Sequence, residues 1–147
     1  MRAVVQRVSR AEVRADGEMV GRIGLGFVIL LGVAKGDSAA DAEFIEDRIA
    51  GLRVFADQAE KMNLALGTVG GELLVISQFT LHADTSQRRP SFTDAAPPEQ
   101  ARGLYEYFLS LARRRGVRVE NGIFGVHMDV ELINDGPVTI LLDSRNR

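Results

Sequence analysis

The sequence contains 147 residues, of which 46% are hydrophobic and 26% are charged. These values fit one globular domain and exclude a disordered or fibrous chain. The formal net charge of −2 leaves no overall positive field for a long nucleic acid, so any contact with RNA must be local.

Few side chains are available for reactive chemistry. Cysteine is absent, which excludes disulfides, thiol nucleophiles and thiolate metal ligands. The two histidines, His82 and His127, are too few for an ordinary zinc site, so we expect no metal and no cofactor. The longest apolar run, residues 27–34, is far shorter than a membrane helix, and the first residues lack the pattern of a secretory signal. We therefore expect a cytoplasmic protein without membrane contact.

The first third of the chain predicts β structure. Apolar residues alternate in AVVQRVSRAEVRA, and Asp16-Gly17 is a tight-turn signal before the second strand EMVGRIG. The apolar run FVILLGVA is typical of a buried strand. A helix follows it, with Ser38 as N-cap and apolar residues at helical spacing at Phe44, Ile45, Ile49 and Leu52.

The middle of the chain alternates loops with regular elements. ADQAEKMNLALGTVGG predicts a loop, and ELLVISQF predicts an apolar strand. HADTSQRRPSFTDAAPP has no periodicity and predicts a long surface loop, a kind of segment that is often functional. A second helix begins at Pro97-Pro98 and ends in Arg113, Arg114 and Arg115, where cations favour a helix C-terminus; contact with RNA is the alternative.

The remaining segments, VRVENG, HMDVELI and VTILLD, predict further strands. The elements together predict an α+β fold in one domain, residues 1–147. We expect a mostly antiparallel, barrel-like sheet with the two main helices packed on it.

The end of the strand ELLVISQF changes abruptly from apolar to polar. Ser77, Gln78 and Thr80 surround Phe79 there, and they indicate either a site or hydrogen bonds that cap the strand. The sequence has no Gly-x-Ser-x-Gly elbow around Ser77, which argues against a serine-hydrolase triad. His82 shares a face with Thr80 if the segment is extended, without necessarily touching it.

Two other features bear on function. Arg88 and Arg89 in the long loop can bind a phosphate or remain a solvated charge pair, and Phe92 can stack on a base or anchor the loop. Gly136-Pro137 separates two apolar stretches, and a proline in a sheet must lie at an edge, a bulge or a turn. X-Pro bonds are mostly trans, so the pattern by itself favours a trans turn.

These motifs, taken in order, resemble the bacterial and eukaryotic D-aminoacyl-tRNA deacylases. The resemblance runs through AVVQRVSRAEV, KMNL, SQFTL, RRPSF and NDGPVT, and so covers essentially the whole chain. It implies a homodimer with active sites at the subunit interface. The implied reaction is hydrolysis of the ester that joins a D-amino acid, or glycine, to the terminal adenosine of tRNA.

The resemblance also implies roles for individual residues. Gly136-Pro137 is expected to be cis and to reach into the partner's pocket, where it excludes L-amino acids. Ser77, Gln78, Phe79 and Thr80 are expected on the pocket floor, with an oxyanion hole formed by backbone N–H groups near Phe79 and Thr80. The same resemblance implies that Met128 lines the pocket; the proposed tRNA contacts are Arg88, Arg89 and Phe92.

The catalytic route stays open at this stage. Thr80 is one candidate nucleophile, and water, assisted by the vicinal ribose hydroxyl of the tRNA, is the other. We favour the ribose hydroxyl, because no base is evident beside Thr80. Gln87, Val126 and His127 depart from the family pattern, and His82 falls at a variable position. A nucleic-acid-binding module without catalysis and a general small-ester hydrolase are the competing hypotheses.

Overall fold

Strand β1 (Arg2–Ala15) is the centre of the sheet in the computed structural model, which describes every residue from Met1 to Arg147. One edge of β1 pairs with β8 (Asp129–Asp143) along nearly its whole length. The other edge pairs first with β3 (Gly26–Gly32) and then with β2 (Glu18–Ile23). All three pairings are antiparallel, and the predicted turn at Asp16-Gly17 connects β1 to β2.

The rest of the sheet is parallel. β6 (Glu72–Ser77) runs parallel to β3, and β7 (Val119–Asn121) runs parallel to β6. Helices α1 (Ala39–Gly51) and α2 (Pro98–Arg114) lie in the two crossover connections that such pairs require. β2 then approaches β7, so the sheet is a nearly closed barrel. The prediction of an α+β fold with two helices on a barrel-like sheet is confirmed.

The core has two parts, one on each side of the sheet. The larger part lies between the sheet and the helices and includes Phe27, Ile29, Val75, Ile45 and Phe108. The smaller part fills the barrel and includes Val8, Val13, Ile23, Val28 and Leu74. β3 and β6 therefore bury both of their faces, which explains why their sequences are continuous apolar runs rather than alternating ones.

Local contacts hold the helices in place. Ser38 is the N-cap of α1, and its backbone N–H donates to the Asp41 carboxylate at 2.8 Å. The buried Tyr105 hydroxyl on α2 donates to the Val75 carbonyl of β6 at 2.8 Å. Arg115 at the end of α2 forms ion pairs with Glu46 and Asp47 of α1. Neither helix is long and apolar enough to span a membrane.

Two predicted segments differ from the structure. The predicted loop after α1 contains a small antiparallel pair, β4 (Phe55–Ala56) and β5 (Met62–Leu64). The predicted strand ELLVISQF ends at Ser77, and Phe79–His82 forms a 3-10 turn. The segment from Thr80 to His82 is not extended, because the Leu81 N–H turns back to the Gln78 carbonyl at 3.2 Å, so the condition under which Thr80 and His82 would share a face is not met.

The last two predicted strands are one continuous strand, β8, with a bulge at its centre. Gln6 pairs with Thr139 and Val8 pairs with Asn134, so Arg7 alone lies opposite residues 135–138. Proline has no N–H to donate, and the bulge places it outside the regular ladder. The Gly136–Pro137 peptide is cis, as the resemblance implied, and the trans turn that the pattern alone favoured was wrong.

Candidate functional site

A cavity of about 870 Å³ opens at the carboxyl ends of β3 and β6. Ligands of open α/β sheets bind at this end of parallel strands. Four segments form the walls: residues 33–35 after β3, 76–79 at the end of β6, 92–101 leading into α2, and 124–130 leading into β8. Most of the lining is apolar and a few polar groups project into it, as is typical of small-molecule sites.

Ser77, Gln78 and Phe79 form the wall at the end of β6. The Gln78 N–H donates to the Leu31 carbonyl at 2.8 Å, which holds the start of the 3-10 turn against β3. The first hydrogen bond inside the turn starts at the Leu81 N–H, so the N–H groups of Phe79 and Thr80 have no partner within the turn. Two backbone donors are thus carried next to the cavity wall.

Thr80 is exposed and does not line the cavity. Its hydroxyl oxygen accepts a hydrogen bond from the Gln78 side-chain amide at 2.6 Å. No aspartate, glutamate or histidine side chain forms a hydrogen bond with it. The hydroxyl therefore contacts a donor and lacks the neighbouring base that activates a nucleophilic threonine.

His82 is the last residue of the turn and is only 5% exposed. Its Nε2 is 2.9 Å from the Gly32 carbonyl oxygen, and this nitrogen donates because a carbonyl can only accept. Burial lowers the pKa of His82, while the hydrogen bond to Gly32 raises it to a smaller degree. His82 is thus a neutral group that attaches the turn to β3, and it is not within hydrogen-bond reach of Thr80.

The burial of His82 predicts a pH-dependent stability. Because the pKa of His82 is lowered in the folded state, the unfolded chain takes up a proton as the pH falls through about 6.5, and the folded chain takes it up only at a lower pH. The free energy of unfolding should therefore fall as the pH falls from 7 to 5, by at most about 1.4 kcal/mol per pH unit from this group. Urea denaturation at both pH values checks this, with His82→Gln as the comparison. Equal pH dependence in both proteins would contradict the assignment.

The long loop before α2 adds an aromatic wall. Phe92 contacts Phe79 edge to face, with ring centroids 5.2 Å apart. Hydrogen bonds between Asp84 and Ser91 close the base of the loop, and Arg88 and Arg89 lie at its exposed tip. Phe92 lines the cavity, whereas Arg88 and Arg89 do not.

The segment before β8 forms the opposite end of the lining. Met128 lines the cavity and packs so closely on Gly122 that a Cβ there would lie 2.5 Å from its sulfur. Val126 and His127, two positions at which the sequence was expected to depart from the family pattern, also line the cavity. Sequence reasoning missed Phe124, a further wall residue, although an aromatic residue in the segment GIFG, which glycines bound on both sides, was a usable signal.

Gly136 and Pro137 do not line the cavity of their own chain. Arg7 instead holds the bulge that contains them: its Nε donates to the Asp135 carbonyl at 3.0 Å, and its guanidinium also donates to the Val54 carbonyl. The Arg7 side chain is only 13% exposed. Sequence reasoning missed Arg7, because nothing in an alternating strand marks it as different from other arginines.

Comparison with known proteins shows the family to which the chain is related. A family model described as D-Tyr-tRNA(Tyr) deacylase matches residues 4–143. The D-aminoacyl-tRNA deacylase of Anaeromyxobacter dehalogenans (strain 2CP-C) is 60% identical over 99% of this chain and 98% of that protein. The D-aminoacyl-tRNA deacylase of Dehalococcoides mccartyi (strain ATCC BAA-2100 / JCM 16839 / KCTC 5957 / BAV1) is 56% identical over 100% of this chain and 97% of its own.

A solved structure, the c-Myc DNA Unwinding Element Binding Protein, superposes with a TM-score of 0.91. It is 41% identical and the alignment covers 97% of this chain and 98% of the other. The sequence matches and the shared fold extend over essentially the whole length of the chain. The chain therefore belongs to the D-Tyr-tRNA(Tyr) deacylase family.

Proposed function

We propose that this protein hydrolyses the ester bond between a D-amino acid, or glycine, and the terminal adenosine of tRNA in the cytoplasm. The proposal rests mainly on one observation: a chain of this family has a cavity that is lined by the residues expected at the active site. The cavity is lined together by residues from three segments that are distant in sequence: Ser77 and Phe79, Phe92, and Met128. The products are free tRNA and the free amino acid.

We propose further that the protein works as a homodimer in which Gly136-Pro137 completes the partner's cavity. Neither residue lines its own cavity, so a role in the reaction requires a second subunit. One edge of the long strand β8 has no strand partner, and Leu141 and Ile133 on it are 75% and 45% exposed. A two-fold contact through this strand makes two equivalent sites, each built from both subunits.

The backbone of Gly136-Pro137 selects between mirror-image substrates by excluding the L-amino acid. Gly136 has no side chain, proline limits the rotation of the next peptide, and Arg7 holds the preceding carbonyl. A rigid backbone next to the α-carbon leaves no room for the side chain of an L-amino acid, whatever that side chain is. Glycine has no side chain to exclude, so glycyl-tRNA is expected to be a substrate.

The proposed chemistry relies on backbone donors and on the substrate itself. The N–H groups of Phe79 and Thr80, unused inside the turn, bind the carbonyl oxygen as it becomes an oxyanion. The vicinal hydroxyl of the terminal ribose assists the attack of water on the ester. This route fits a site in which Thr80 contacts an amide donor and no base.

Thr80→Ala tests this route against a threonine nucleophile. We expect the variant to retain kcat for D-Tyr-tRNA within about tenfold of the parent, because only one side-chain hydrogen bond is lost. Single-turnover deacylation measures this, and circular dichroism confirms that the variant is folded. A folded variant without activity would restore Thr80 as the nucleophile.

The proposed activity itself is tested with a matched pair of substrates. Purified protein should release tRNA from D-Tyr-tRNA and leave L-Tyr-tRNA intact under the same conditions. Binding of both without turnover would instead support the nucleic-acid-binding alternative, with Arg88, Arg89 and Phe92 as contacts. Equal turnover of simple esters without a ribose hydroxyl would support the general esterase.

A further inference from the structure

Lys35 lines the cavity with an unpaired side chain. Its backbone is held on both sides: its N–H donates to the Asp94 carbonyl at 2.9 Å, and its carbonyl accepts from Arg145. The ammonium group forms no ion pair, although the neighbouring Asp37 pairs with the N-terminal amine at 2.7 Å. The backbone of Lys35 is therefore fixed while its charge is left available at the cavity.

Arg102 is a second unpaired cation, which lies beside the cavity wall and not in the lining itself. It lies on the first turns of α2, next to the cavity residue Ala101, and its guanidinium carbon is 5.2 Å from the ring centroid of Phe124 in the cavity wall. Glu99 and Glu106 flank it on the helix, but neither is among the carboxylates that form ion pairs. Other exposed arginines, such as Arg2, Arg115 and Arg118, do pair with carboxylates.

Resting on the function proposed above, we propose that Lys35 and Arg102 bind the phosphates of the last nucleotides of the tRNA 3′ strand. The ester is on the terminal ribose, so the phosphates of that strand must leave the cavity across its rim. An arginine that stacks on an aromatic ring keeps its N–H edges free for phosphate oxygens, and a lysine supplies a compact charge. In a chain with a net charge of −2, such local cations supply the attraction that the whole surface does not.

This assignment separates substrate binding into two parts. The apolar cavity holds the amino acid and the adenosine, and the rim cations hold the phosphates. Lys35 and Arg102 should thus contribute to the affinity for a tRNA end and not to the affinity for an aminoacyl-nucleoside. Arg114, an exposed and unpaired arginine at the far end of α2, is the matched control.

The experiment compares two non-hydrolysable ligands, each with D-tyrosine joined by an amide to a 3′-amino-adenosine. One is the free nucleoside and the other carries the same group at the end of a CCA trinucleotide. Calorimetry with Lys35→Gln, Arg102→Gln and the double variant should show the trinucleotide Kd rising about tenfold per substitution. The nucleoside Kd should stay within about twofold, and Arg114→Gln should change neither.

The salt dependence of trinucleotide binding is a second measurement. A purely structural effect of the substitutions would not change it. The slope of log Kd for the trinucleotide against log salt should fall by about 0.7 for each cation removed. An equal loss of nucleoside affinity, or a wild-type protein that binds both ligands equally well, would overturn the inference. These ligands are not cleaved, so their binding can be measured whether or not the protein is a deacylase. If the proposed function is wrong, the protein would bind both ligands tightly and yet not hydrolyse D-Tyr-tRNA.

Discussion

Replacing Gly136 by alanine is expected to lower kcat/KM for D-Tyr-tRNA by about 100-fold. Gly136 has a φ of +124°, which L side chains rarely adopt. A Cβ there would lie 3.0 Å from Arg7 Nη2 and 3.2 Å from the Val138 nitrogen. The bulge must therefore shift, and with it the backbone that we propose selects the substrate in the partner's cavity. Steady-state deacylation of D-Tyr-tRNA measures the loss.

Gly70→Ala is the control for backbone strain alone. Gly70 also has a positive φ, +67°, but a Cβ there would meet no atom within 4 Å. We expect this variant to lose a little stability and no activity, because Gly70 does not line the cavity. A similar loss of activity in both variants would show that general destabilisation, and not the position of Gly136, is responsible.

Mixed dimers determine whether Gly136 acts in its own chain or across the interface. Gly136→Ala can be combined with a variant whose cavity is blocked, Ser77→Tyr, each inactive as a homodimer. In an equal mixture, half of the dimers contain one chain of each variant. In such a dimer one of the two sites is intact, because the open cavity of the Gly136→Ala chain meets the native Gly136 of the Ser77→Tyr chain. Activity should therefore recover to about a quarter of the wild-type value. No recovery, with heterodimers shown to be present, would contradict the shared site.

Gly26→Ala is expected to have the largest effect on stability, lowering the free energy of unfolding by more than about 4 kcal/mol. Gly26 pairs with Glu72 where β3 and β6 begin to run side by side. A Cβ there would lie 1.8 Å from the Glu72 carbonyl oxygen and 2.6 Å from its nitrogen, and backbone atoms in a buried parallel pair cannot move aside. Urea denaturation measures the change.

Gly24→Ala is the matched control for this stability prediction. Its Cβ would meet only the flexible Glu72 side chain, at 3.4 Å from Oε1. We expect a change within about 1 kcal/mol, as is usual for substitutions without a clash. If Gly26→Ala proved as stable as Gly24→Ala, the register of β3 against β6 would be wrong.

Most of the regular elements were predictable because their signals are local. Asp16-Gly17 marks the first hairpin, Ser38 caps α1, and Pro97-Pro98 begins α2; each acts within a few residues of itself. The apolar runs of β3 and β6 predicted buried strands for the same reason. The 3-10 turn after Ser77 was not predictable, since its polar residues suit a strand end or a turn equally.

The candidate site was predictable only in part. Ser77, Gln78, Phe79, Phe92 and Met128 were expected from motifs that resemble a family, and the structure brings them to one cavity. Lys35 and Arg102 lie in none of these motifs, Arg7 lies in AVVQRVSRAEV without any sign of a special role, and only nearby glycines marked Phe124. Their significance depends on which groups lie beside them, and those groups are distant in sequence, as Arg7 and Asp135 are.

The sequence by itself determined the α+β class, the positions of both helices and most strands, and the scarcity of reactive side chains. Only the tertiary structure decided that β8 is one bulged strand, that Thr80 lies outside the cavity, and that Gly136-Pro137 is separated from its own chain's pocket. The physical reason is distance along the chain. Turns, caps and periodicity depend on neighbouring residues, whereas a cavity depends on how far-apart segments pack and on which cations then lack a partner.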